Sequence, residues 1–190
     1  MENKLILDQT FLKINFIDKI KPKEEYENCK FINCNFAEAN LLDVVFMECT
    51  FEDCDLSLAR LNETAFRDVK FIGCKMLGLK FDHCNAFGLS FQFEKCNLNH
   101  SSFYKIKAIK SIFIHCQLHE VDFTEANLTS SLFQSSDLFR AVFQHSILEK
   151  VDFTTAYNYL IDPEQNNIRK AKFSIDGIVG LLKKYDIQIY

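Results

Sequence analysis

From Phe31 to Phe153 the chain repeats every five residues, and this interval constrains the fold more than any other feature. Apolar residues, most of them large, fall at Phe31, Phe36, Leu41, Phe46, Phe51, Leu56, Leu61, Phe66, Phe71, Met76, Phe81, Ala86 and Phe91. The beat restarts two residues late at Leu98 and continues through Phe103, Ala108, Phe113, Leu118, Phe123, Leu128, Phe133, Leu138, Phe143, Leu148 and Phe153. We call this the central position. Two residues before it stands something smaller, such as Cys29, Cys34, Ala39, Val44, Cys49, Cys54 or Ala59. A helix repeats every 3.6 residues and a strand every 2, so a strict five belongs to neither and marks a repeat architecture.

The segments Ala39-Asn40-Leu41, Cys54-Asp55-Leu56-Ser57, Val121-Asp122-Phe123-Thr124 and Ala126-Asn127-Leu128-Thr129 resemble the pentapeptide-repeat family. The resemblance implies an all-β fold: a right-handed quadrilateral β-helix, four pentapeptides to a coil, with the central residue and the one two before it pointing inward. Central residues twenty apart then stack on one wall. With a two-residue insertion between Phe91 and Leu98, one wall reads Phe31, Phe51, Phe71, Phe91, Phe113, Phe133, Phe153. The next reads Phe36, Leu56, Met76, Leu98, Leu118, Leu138, and another sets Ala86 under Ala108, with Leu89 and Ile106 near enough to fill the space.

All eight cysteines fall two residues before a central position, and Cys34, Cys54, Cys74, Cys96 and Cys116 form one inward column. Parallel side chains are poorly placed for bridging, so these read as reduced, small apolar residues of a cytoplasmic protein. No apolar run approaches the roughly 20 residues of a membrane helix, and a net charge of −4 argues against coating nucleic acid directly. Residues 1–156 are expected to form the repeat domain, with an irregular first coil at 1–30. There Ile17 to Glu25 breaks the beat, as a projecting loop or as an irregular turn of the coil. Residues 157–190 form a C-terminal module. Its apolar face Ile178, Leu181, Leu182 and Tyr185 suits a short helix capped by Asp176, and Ile187 and Ile189 suit a following strand. The stretch Gly177 to Tyr185 resembles the terminal module of Qnr-like quinolone-resistance proteins, which implies a homodimer joined there. A lid on a single rod is the alternative.

Charge is banded. Residues 31–68 hold eight acids against two arginines, residues 69–119 seven lysines against two acids, and residues 120–164 eight acids against two bases. In the first band Asp43 stacks on Glu63 and Glu48 on Asp68, like on like, which costs sheet stability. These columns are a candidate interaction surface or a plain solvated face. A middle belt of Lys75, Lys80, Phe87, Lys107 and Ile109 is a second candidate, or scattered hydrophobes. The five histidines form no metal or nucleophile motif, and no phosphate loop is present. The expectation is a non-catalytic protein without cofactor. The Qnr-like resemblance implies a DNA mimic that binds DNA gyrase or topoisomerase IV and protects it from quinolones or peptide toxins. The alternative is a general protein-interaction scaffold with no topoisomerase role.

Overall fold

The computed structural model describes residues 4–188. It is a parallel β-solenoid whose strands form two sheets, alternating between them up to β8. Strands β1 (Lys4–Leu7), β3 (Glu24–Glu27), β5 (Val45–Met47) and β7 (Ala65–Arg67) form one. Strands β2 (Thr10–Leu12), β4 (Lys30–Ile32), β6 (Thr50–Glu52), β8 (Val69–Ile72), β9 (Phe91–Glu94), β10 (Ile112–Ile114) and β11 (Leu132–Gln134) form the other. Pairing at twenty-residue offsets, such as Phe31 with Phe51 and Phe46 with Phe66, sets each coil on the last. The two remaining walls are joined by bridges such as Asn35 to Asp55 and Asn40 to Arg60. The chain turns each corner at the second residue after a central position. Glu38, Asp43, Glu48, Asp53, Leu58, Glu63 and Asp68 all take left-handed conformations there. That conformation is unfavourable for most side chains, so each corner is held by the coils on either side.

The core is a stack of rings. Phe11, Phe31, Phe51, Phe71, Phe93, Phe113, Phe133, Phe153 and Phe173 lie one above another at centroid distances of 4.6 to 5.4 Å. The column thus passes through Phe93, and not Phe91 as the beat suggested. Strand β8 pairs with β9 by setting Phe71 against Phe93 and Val69 against Phe91. Phe91 therefore occupies the small-residue level, buried against Phe66, Phe81, Phe93 and Phe103. The extra residues lie earlier than expected, in a loop over 86–90, and Ala86 is exposed instead of sitting beneath Ala108. With Phe91 and Phe93 two residues apart, both fit a beat of five on one side of the break, and only the packing chooses.

The small inward position has a second task. Its side chain donates to the buried carbonyl of the central residue one coil below. Cys54 Sγ donates to Phe31 O, Cys74 to Phe51 O, Cys96 to Phe71 O and Cys116 to Phe93 O, at 3.3 to 3.5 Å. Ser101, Ser131, Ser136, Ser146 and Thr64 do the same, as does Asn166 through its amide. A serine or cysteine there fills the corner and meets a group that water cannot reach. All eight cysteines are free, and burial pushes the Cys49 and Cys116 thiols up to about 12.

At the N-terminal end Ile17 to Glu25 does not project but completes the first coil. Ile20 is buried where the beat places Lys21. Glu24 is buried at a small-residue position, accepting from Tyr26 Oη (2.8 Å) and the Lys21 N–H (3.2 Å), with Lys4 at 3.6 Å. At the other end, helix α1 (Val179–Leu182) lies between 3-10 turns at Asp176–Ile178 and Lys183–Tyr185. Ser174, and not Asp176, caps this segment, its Oγ accepting from the Gly177 N–H at 3.0 Å. Residues 186–188 form no strand, and Ile189 lies outside the described residues. Gly177 and Gly180 let the segment approach Tyr159, since a Cβ at either would collide with it. Leu181 is buried, and Lys184 bridges Asp162 (2.6 Å) and Glu164 (2.7 Å) of the last coil.

Two outcomes follow. Phe113→Ala removes a fully buried ring from the middle of the column and should cost about 3–5 kcal/mol in denaturant unfolding. Lys184 holds the carboxyls of both Asp162 and Glu164 below their ordinary range. Groups with depressed native pKa values stabilise above the ordinary carboxylate range and lose that contribution as pH falls through the native value. The melting temperature of Lys184→Met should therefore lie below the parent's at pH 7, and the gap should close below about pH 4.

Candidate interaction surfaces

The wall that carries β1, β3, β5 and β7 is edged by the four acids singled out from the sequence. Asp43 and Glu63 stand on one edge, Glu48 and Asp68 on the other, one coil apart within each pair. The backbone N–H of Asp43 donates to Asn62 O (3.2 Å) and that of Glu48 to Arg67 O (2.9 Å), which fixes the vertical neighbours. Strands β5 and β7 pair in register between the edges, Val45 with Ala65 and Met47 with Arg67. Among the described residues none of the four acids makes an ion pair. Glu63 alone accepts a side-chain hydrogen bond, a long one from Asn85 Nδ2 at 3.5 Å.

The basic and apolar belt is not one surface. Lys75 bridges to Asp55 and Asn97 on one wall, and Lys80 to Ser102 on the next. Lys107 and Ile109 lie on the wall of β5 and β7, one coil past the loop that carries Phe87. Phe87, Lys107 and Ile109 thus share a wall, and Lys75 and Lys80 do not join them. Phe87 is 77% exposed. It is propped by Arg67, whose guanidinium lies 5.5 Å from the ring centroid, and Gly88 takes φ +70° where the loop crosses Arg67.

The loop leaves marks below it. Arg67 Nε, Asp82 Oδ1 and Ser111 Oγ are buried without a hydrogen-bond partner among the described residues. Ser111 sits at the donating position, and the carbonyl it would meet belongs to the coil that the loop displaces. Sequence reasoning missed the loop's place because the beat absorbs Ala86 without complaint. Gly88 beside two competing phenylalanines was the available signal.

Of the expected dimerisation residues, Leu181 is spent on the chain's own last coil. Ile178 and Tyr185 remain 46% and 48% exposed, beside Ile175 at 90%. Tyr185 Oη also donates to Glu164 (2.8 Å). A cavity of about 500 Å³ opens between this segment and the last coil, lined by Phe139, Tyr157, Tyr159, Leu160 and Val179.

For chemistry the closest grouping is His119, whose Nε2 lies 2.9 Å from Asp137 Oδ2, while Asn158 Nδ2 donates to Asp137 Oδ1 at 2.7 Å. These bonds hold the Asp137 carboxyl below its usual range against the opposing effect of burial. Asn158 also lines the cavity beneath the C-terminal segment, and the trio links three successive coils. Among the described residues no three His, Cys, Asp or Glu side chains converge as a metal site, and no helix is long and apolar enough to cross a membrane.

Comparison with known proteins agrees with this geometry. The family model described as pentapeptide repeat region matches residues 24–92 and 89–156. No curated protein matches the chain by sequence. Among solved structures, two trypsin-treated variants of QnrB1, a plasmid-mediated fluoroquinolone resistance protein, are similar over nearly the whole length. One is 17% identical with a TM-score of 0.63, covering 98% of each chain. The other is 18% identical with a TM-score of 0.64, covering 100% of this chain and 95% of that one. HetL, involved in heterocyst differentiation regulation in Nostoc sp. strain PCC 7120, is 12% identical with a TM-score of 0.52, covering 92% and 91%. At such identities the likeness speaks for the fold alone.

Proposed function

Because the chain belongs to the pentapeptide-repeat family and carries unpaired acids in vertical register on one wall, we propose that it acts by binding a protein and not by catalysis. The acidic columns Asp43 with Glu63 and Glu48 with Asp68 are the binding surface. The observation that carries this reading is their arrangement: like charges one strand spacing apart, about 4.8 Å, with no cation from the same chain between them. Stability gains nothing from such placement, whereas a partner groove lined with lysine and arginine does. A groove built for DNA has that character, since a duplex presents about one negative charge per 1.7 Å.

A type II topoisomerase, DNA gyrase or topoisomerase IV, is the partner that this chemistry and the likeness to QnrB1 favour, with the acidic wall standing in for DNA. The exposed Ile175, Ile178, Val179 and Tyr185 suit a homodimer joined at the C-terminal ends, a joint that leaves the acidic walls of both subunits open. The buried free thiols suit the reducing cytoplasm.

Gyrase supercoiling in the presence of ciprofloxacin tests the reading. The parent should restore supercoiling in a dose-dependent way. A variant carrying Asp43→Lys, Glu48→Lys, Glu63→Lys and Asp68→Lys should lose most of that protection while melting within a few degrees of the parent. No effect of the parent on either topoisomerase at any ratio removes the topoisomerase reading.

A further inference from the structure

Several charges on this rod are neutralised within the chain. Opposite charges one coil apart meet at Lys30 and Glu52 (2.7 Å), Lys105 and Glu125 (3.5 Å), Glu120 and Arg140 (3.5 Å) and Asp152 and Lys172 (3.1 Å). One corner is built differently. Along the far edge of the wall that carries β5 and β7, the left-handed residues read Asp8, Asn28, Glu48 and Asp68. Then comes Gly88 in the loop, followed by Lys110, Ser130, Lys150 and Lys170. All the acid lies on one side of the loop and all the base on the other. Among the described residues Glu48, Asp68, Lys110 and Lys170 make no ion pair, and neither does Lys107 on the same wall. Phe87, the most exposed phenylalanine, stands at the boundary.

A corner that is acidic in one half and basic in the other is complementary to itself turned end over end, the bases Lys4 and Arg67 of the acidic half being held by Glu24 and by the Phe87 ring of their own chain. Two-fold symmetry makes an interface self-complementary in this sense, because each contact occurs twice. We propose that two copies of this chain pair side by side and antiparallel through this wall, with the loop over 86–90 at the two-fold axis. Asp68 and Lys110 lie one coil on either side of Gly88, and Asp8 and Lys170 four coils. Rotation at the loop therefore sets Asp68 of each copy against Lys110 of the other, and Asp8 against Lys170. The two Phe87 rings meet at the axis, where they leave water together. Parallel pairing would lay acid on acid and is disfavoured.

The acid in the basic half, Glu149, is held by Arg169 (3.5 Å) and Lys150 (3.7 Å) of its own chain. The opposite edge of the wall is mixed, since Glu125 there already holds Lys105, so the complementarity rests on the Gly88 corner. The C-terminal segment packs on Ile161, Asp162 and Glu164 and leaves this wall open. One wall of a narrow rod falls in the class of weak interfaces, under about 1,200 Å² in total, and its charge pairing weakens as salt rises. Pairing buries Glu48 and Asp68, so a second copy competes with a partner for that surface. This last consequence, unlike the pairing itself, rests on the function proposed above.

Sedimentation velocity at low ionic strength and high protein concentration, with no topoisomerase present, tests the pairing. The two variants are Glu48→Lys with Asp68→Lys, and Lys107→Glu with Lys110→Glu. Each changes exposed side chains only, and circular dichroism checks that both fold. Each variant alone should sediment at a lower mass than the parent, because its wall now repels its own copy. An equimolar mixture of the two should recover the parent's mass, since their walls are again complementary, and Phe87→Ser should weaken the parent's association at least tenfold. A parent no heavier than either variant, or a mixture that stays at the variants' mass, overturns the proposal. A joint at the C-terminal ends is present equally in all samples and cannot produce the pattern.

Discussion

Everything in this molecule depends on phenylalanine rings stacking at the spacing of hydrogen-bonded strands. The nine rings from Phe11 to Phe173 lie 4.6 to 5.4 Å apart, close to the roughly 4.8 Å at which neighbouring strands pair. Backbone and core thus share one period, and neither has to strain to suit the other. A second column, Phe81, Phe103, Phe123 and Phe143, repeats the arrangement across the interior. Rings of facing walls meet edge to face, as Phe113 and Phe123 do, the geometry that aromatic quadrupoles prefer.

The small inward residues complete the same design. A square coil turns the carbonyls of central residues inward, and where cysteine, serine, threonine or asparagine stands one coil on, it supplies the hydrogen. This accounts for the abundance of cysteine without redox chemistry or metal. It also explains why one irregularity has several symptoms. The loop over 86–90 takes an acceptor from Ser111 and lifts Phe87 into solvent over the Arg67 guanidinium. It also ends the four-stranded sheet at β7.

Because the core is nearly uniform, what distinguishes one wall from another is the corner residues, which touch little besides their vertical neighbours. Selection on them is correspondingly free of packing. Opposite charges in register stabilise the rod modestly, and the chain uses them on several edges. Like charges and unpaired charges are tolerated only where the coil is otherwise well held. On the wall that the loop divides, one corner sorts them, with Asp8, Glu48 and Asp68 on one side of the loop and Lys110, Lys150 and Lys170 on the other.

The beat of five determined the solenoid, the inward columns and the chemical neutrality of the cysteines, because a repeat leaves each side chain only one direction to face. The chain's apolar end module was legible for the same reason. Which of Phe91 and Phe93 continues the column was not legible, since both satisfy the local rule and only the level of Val69 and Phe71 beneath them decides. Nor could the sequence find Ser174 as the cap. That Leu181 turns inward while Ile175 stays in water was settled by Tyr159 and the paired acids Asp162 and Glu164. Contacts between coils twenty residues apart fixed these points, and a period read along the chain carries no information about where it breaks.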